Sequence, residues 1–141
     1  MKNFILFITM LLLTGIIADA KSTNVYHISG HINMSIIGEN VILTMTDTYT
    51  HDENNNIYAI NLGEIEYSLK LVNDMYNCLE SFEDGITHTF NCGGNLIEMT
   101  MHKDSYDVEC FYIYHTGESY TLDKSNLRKI EKRIIKHINK K

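Results

Sequence analysis

Thr87-His88-Thr89-Phe90-Asn91-Cys92-Gly93-Gly94-Asn95-Leu96-Ile97-Glu98-Met99 reads as two antiparallel strands joined by a two-residue turn. Gly93 and Gly94 both accept positive φ, the condition for the tight hairpin turns that match strand twist. The turn sets Phe90 opposite Ile97 and His88 opposite Met99. Downstream, Asp104-Ser105 is placed to turn a second hairpin, with Met99 opposite Cys110 and a strand from Tyr106 to His115. Thr116-Gly117 then turns into Glu118 to Leu122.

Strand patterns extend upstream. Val25 to Ile32 places Tyr26, Ile28 and Ile32 on one face and His27, Ser29 and His31 on the other. Val41 to Thr46 is rich in β-branched residues. In Glu64 to Val72, Ile65, Tyr67, Leu69 and Leu71 alternate with Glu66, Ser68 and Lys70, a period of two with one apolar face. Short strands with turn signals at this spacing predict a mainly β chain, an immunoglobulin-like β-sandwich or a related fold.

The end of the chain follows another period. Leu127, Ile130, Ile134, Ile135 and Ile138 form a helical stripe, with Asp123 or Ser125 as its N-cap. Charge divides at the same place. Residues 21–123 hold 3 Lys/Arg against 16 Asp/Glu, a net of −13, and residues 124–141 hold 8 Lys/Arg against one Glu, a net of +7. An acidic body therefore carries a basic amphipathic helix at residues 124–141. The helix has three open uses. It docks its apolar stripe on the sheet, it binds anionic glycans or lipid headgroups through Lys132, Arg133 and Lys136, or it engages a protein partner. Docking with the basic face left free is the expectation. An acidic, exported body makes nucleic acid an unsuitable partner.

Export is read from residues 1–20. Lys2 precedes an apolar run from Phe4 to Ile17, and Ala18-Asp19-Ala20 provides a small-x-small cleavage site. The run is shorter than the roughly 20 residues that span a bilayer. The expected product is a secreted, extracellular domain beginning at Lys21, with a β-sandwich at 21–123. Oxidising surroundings favour pairing among Cys78, Cys92 and Cys110. The meander register keeps Cys92 and Cys110 two strands apart, beyond the roughly 7 Å Cα limit, so Cys78–Cys92 is the favoured bridge. Asn33-Met34-Ser35 is a glycosylation sequon.

Catalytic and metal signatures are absent from the sequence. There is no Gly-x-Ser-x-Gly elbow, phosphate-binding glycine loop or His-Glu-x-x-His. Four residues of strand separate His27 and His31 by about 13 Å, too far to share one ion. Asp52, Asn54 and Asn56 open like a calcium loop, but Ile57 and Gly63 stand where Gly and a bidentate Glu are required. Cys110 paired with a distant His would be the nucleophile of a small secreted hydrolase, the third functional alternative. No catalytic residue, metal ligand or cofactor is assigned, and the expectation is a non-enzymatic protein.

Three segments carry a resemblance. Val25-Tyr26-His27-Ile28-Ser29-Gly30-His31-Ile32 follows the leader with a central Gly. Gly38-Glu39-Asn40-Val41-Ile42-Leu43-Thr44-Met45-Thr46-Asp47 leads into an acidic loop at residues 50–56. Glu64-Ile65-Glu66-Tyr67-Ser68-Leu69-Lys70-Leu71-Val72-Asn73-Asp74 then precedes Cys78. In order and pattern these resemble the nematode transthyretin-like family of secreted proteins. The resemblance implies a transthyretin-like β-sandwich, secretion, no enzymatic activity, and binding of an extracellular ligand or protein whose identity the family leaves undefined.

Overall fold

The computed structural model describes residues 23–46 and 57–140. The leader at Met1–Ala20 and the loop carrying His51, Asp52 and Glu53 lie outside the described residues. The described chain is mainly β. Strands β1 (Thr23–Ser29), β2 (Ile32–Ile37), β3 (Asn40–Thr46) and β4 (Ile57–Glu64) form one antiparallel sheet in sequence order. Helix α1 (Ile65–Glu80) follows. Strands β5 (Thr87–Cys92), β6 (Asn95–Lys103), β7 (Glu109–His115) and β8 (Glu118–Asp123) form a second such sheet, and helix α2 (Lys124–Asn139) ends it. The architecture repeats: four meandering strands run directly into a helix of 16 residues, twice.

Each face follows from alternation. In the first sheet Ile28, Ile32, Met34, Ile36, Val41, Leu43, Met45, Ile60 and Leu62 point inward. In the second, Phe90, Met99, Met101, Phe111, Ile113, Tyr120 and Leu122 do so, and both helices insert their apolar stripes into the same core. Phe90 meets Phe111 edge to face with ring centres 5.5 Å apart, a favoured aromatic geometry. Tyr58 on β4 stacks on His115 at 4.1 Å and lies 5.3 Å from Tyr120, joining the sheets.

The sheets also approach at two glycines. A Cβ on Gly93, at φ +58°, would stand 2.7 Å from the Asn61 carbonyl oxygen. One on Gly63, at φ +96°, would stand 3.0 Å from the Tyr67 ring. Tyr67 crosses this seam and donates its hydroxyl hydrogen to the Asn91 carbonyl at 2.7 Å.

The 93–94 hairpin follows the expected register, with Phe90 opposite Ile97 and His88 opposite Met99. Three sequence expectations are corrected. Val25 to Ile32 is not one strand: the chain turns at Gly30-His31, where Ser29 Oγ accepts from the His31 amide at 3.3 Å. The Met99–Cys110 pairing is replaced by His102 opposite Cys110. Asp104 Oδ1 accepts from the amides of Tyr106 and Val108, organising a longer loop and moving the register by three.

Glu64 to Val72 is the third correction. From Ile65 onward it is helix. Ile65, Ser68, Leu71, Val72, Met75 and Leu79 are its buried residues, a helical period that the short alternation in the first turns concealed. The Ile65 amide donates to the Glu39 carbonyl and Ser68 Oγ donates to the Gly63 carbonyl, fixing the strand-to-helix corner.

A basic groove between the last helix and an edge strand

Helix α2 starts at a reciprocal cap. Asp123 Oδ1 accepts from the Asn126 amide at 2.7 Å, and Asn126 Oδ1 accepts from the Asp123 amide at 2.9 Å. Such caps satisfy two otherwise orphaned amides. The helix then docks on its own body. Leu127, Ile130 and Ile134 are buried in the core beside α1. Ile135 and Ile138 fall outside the contact at 40% and 36% exposure, and His137 is buried instead. The docked stripe is therefore narrower than the five residues expected. Arg128 lies 3.8 Å above the Tyr76 ring of α1 and holds Glu131 at 2.9 Å.

Docking sets the other face of α2 beside β1. Lys129, Lys132, Arg133 and Lys136 line a concavity of about 480 Å³ with His27 and Ile28. The four cations recur at intervals of three, one and three, so they share one helix face. All four are exposed. Lys129 Nζ donates to the Ile28 carbonyl at 3.5 Å, and Arg133 sits 5.6 Å from the Tyr26 ring. None of the ion pairs among the described residues uses these four cations. Lys124 is the residue that turns to the acidic body, 3.3 Å from Glu109 and 3.9 Å from Glu80. The groove thus presents several point charges and one planar guanidinium to an approaching anion. The sequence singled out Lys132, Arg133 and Lys136; Lys129 and His27 were missed. The i, i+3 spacing could have added Lys129, but His27 comes from a strand that only folding brings near.

A second concavity, about 580 Å³, is lined by Phe82, Asp84, His102, Lys103 and Tyr112. His102 Nδ1 lies 3.0 Å from Asp84 Oδ1. A carboxylate-oriented imidazole needs a nucleophile to act in acyl transfer. Cys110 is opposite His102 in the sheet, but its Sγ donates to the His102 carbonyl at 3.5 Å. Burial, with Asp104 and Asp123 nearby, pushes its thiol up to about 12. It is held as the neutral thiol near pH 7, whereas the thiolate is the reactive form. Among the described residues no group of three or more His, Cys, Asp or Glu is arranged to hold a metal ion.

Cys78, Cys92 and Cys110 are all free thiols, so the expected Cys78–Cys92 bridge is not formed. The change of α1 from strand to helix accounts for the difference, because it carries Cys78 into the last turn of a helix instead of toward the 93–94 hairpin. Burial pushes the Cys92 thiol up to about 11 and also raises Cys78. Asn33 is exposed on β2, with Oδ1 3.2 Å from His27 Nδ1, while Ser35 of the same sequon is buried. No family model, curated protein or solved structure matches the chain.

Proposed function

We propose that this is a secreted, non-enzymatic protein that binds anionic glycans, of the sulfated or carboxylated kind, in the groove between α2 and β1. The observation that carries the reading is the set of four exposed cations on one helix face, none of them in an ion pair among the described residues. Like charges held this close repel one another, so an anion that bridges them gains from each. A flexible polyanion suits the groove better than a bilayer. Leu127, Ile130 and Ile134 are committed to the core, so α2 lacks the wide apolar face that an interfacial helix inserts into lipid. Extracellular release rests on the leader at residues 1–20 and its Ala18-x-Ala20 site. The transthyretin-like sandwich belongs to the same proposal, supported by the three resembling segments and by a mainly β chain of two four-stranded sheets.

Heparin affinity chromatography tests the reading. The protein should be retained at low salt and released steeply as ionic strength rises. Replacing Lys132, Arg133 and Lys136 with Glu should weaken binding by about 100-fold or more, at ~1 kcal/mol per cation near an anionic surface. Retention of that variant at wild-type salt, or equal binding to neutral dextran, would reject the groove as the site. Stronger binding to phosphatidylserine vesicles than to heparin would move the ligand from glycan to membrane.

A further inference from the structure

Among the described residues that line the groove, His27 is the only one whose charge changes near neutral pH. Lys129, Lys132, Arg133 and Lys136 form the helix wall, and His27 and Ile28 form the strand wall. Lysine and arginine stay charged there, whereas an imidazole gains or loses its charge between about pH 5 and 8. His27 is exposed. Its chain neighbours touch the cations: the Ile28 carbonyl accepts from Lys129 at 3.5 Å, and the Tyr26 ring lies 5.6 Å from Arg133.

Strand β2 sets the tautomer. Asn33 is registered opposite His27, with its Oδ1 3.2 Å from His27 Nδ1. An amide oxygen only accepts, so Nδ1 carries the hydrogen of the neutral ring and Nε2 carries the lone pair. A second proton therefore enters at Nε2 and leaves the Asn33 bond in place. It turns Nε2 from an acceptor into a charged donor. The elements packed here supply no described carboxylate to receive that charge. Strand β2 has no charged residue, no acid lines the concavity, and Glu131, the acid of α2, is held by Arg128. The other titratable groups of these elements are Tyr26, His31 in the turn after β1, and His137, which is buried.

We infer that His27 is a proton-coupled fifth contact for the anionic glycan: binding takes up a proton at Nε2, and the groove holds its ligand more tightly as pH falls through the histidine range. The inference rests on the glycan reading of the groove. Without ligand, a fifth positive charge adds repulsion to the four already present. With a polyanion in place, the same charge gains an ionic hydrogen bond. Free and bound protein thus differ in their hold on one proton, and linkage converts that difference into a dependence of affinity on pH. Sulfate esters stay ionised throughout this range, so the dependence belongs to the protein. The groove would load in mildly acidic surroundings and release near neutrality.

The test measures binding of a heparin oligosaccharide to the released protein at about pH 5.5 and about pH 7.5, on either side of the histidine range. Every sample carries Ser35→Ala, which removes the sequon and any glycan while keeping the Asn33 amide. His27 should make binding about fivefold tighter at the lower pH, the equivalent of ~1 kcal/mol for one cation near an anionic surface. The other histidines also protonate and reduce the net negative charge, so the deciding comparison is with His27→Gln, which should lose that fivefold. His27→Lys should bind at the higher pH about as tightly as its parent does at the lower. In proton NMR, the His27 ring should titrate at higher pH with the oligosaccharide bound than without it. A pH dependence unchanged in His27→Gln, or a ring titration that ligand does not move, overturns the inference and leaves the glycan reading standing. Absence of heparin binding at both pH values overturns both.

Discussion

Ionisation of Cys92 and Cys110 opposes the fold, because each thiol is buried and its ordinary value of about 9 is raised to about 11 and about 12. A raised folded value means that the native state holds the proton longer than the unfolded chain. Stability from these groups is therefore complete below pH 9 and is lost as pH rises toward 12. Thermal melts should show a falling midpoint from pH 9 upward, and Cys110→Ala should flatten that slope. Iodoacetamide at pH 8 should label Cys78 first in the native protein, and all three thiols only in denaturant. Rapid native labelling of Cys110 would show that the thiol is not enclosed. Gly93 makes a different single-residue demand. Ala there would place a methyl 2.7 Å from the Asn61 carbonyl oxygen, at a φ that L-residues avoid. The expected cost is about 1–3 kcal/mol, read as a lower melting temperature. The need for glycine at the turn was visible in the Gly93-Gly94 pair. The contact with Asn61 was not, because it joins strands of two different sheets.

The helices show why local pattern reaches only so far. Helix α2 was legible: its stripe spans three turns and its cap residue, Asp123, stands where the pattern begins. Helix α1 was misread, because over the first two turns its apolar residues also alternate, and a window ending at Val72 misses Met75 and Leu79. Extending the window would have revealed the longer period. Docking of α2 gives an element-level prediction. Ile130 and Ile134 are both 0% exposed in the shared core, so Ile130→Asp or Ile134→Asp should destabilise by more than about 3 kcal/mol. Ile138→Asp, at a position 36% exposed, should cost far less. Truncation after Asp123 should lower the melting temperature and expose the α1 residues that face α2. Unchanged melting of that truncation would mean that α2 contributes nothing to the core. Loss of the cap in Asp123→Ala should cost about 1 kcal/mol.

Over the whole molecule, the mainly β character was legible from turns and alternation, but the groove was only half legible. Charge separation along the chain marked α2, whereas its partner wall depended on which strand lies at the sheet edge. Lys124 joins the helix to Glu109 of the body and Arg128 pairs with Glu131 on the helix itself, while the groove cations make no ion pair among the described residues, a division that net charge alone does not reveal. Secreted protein should begin at Lys21, and N-terminal sequencing of material from the medium checks this; Met1 on membrane-associated protein would reject it. The twice-repeated plan of a meander running directly into a helix has a kinetic consequence. Every sheet pairing among the described residues joins strands adjacent in the chain, and pairing between near neighbours in sequence favours rapid sheet formation. As synthesis proceeds from the N-terminus, β1 to β4 and α1 can assemble before β5 has emerged. The second half then has a finished surface to fold against, and α2, which follows β8, closes the core.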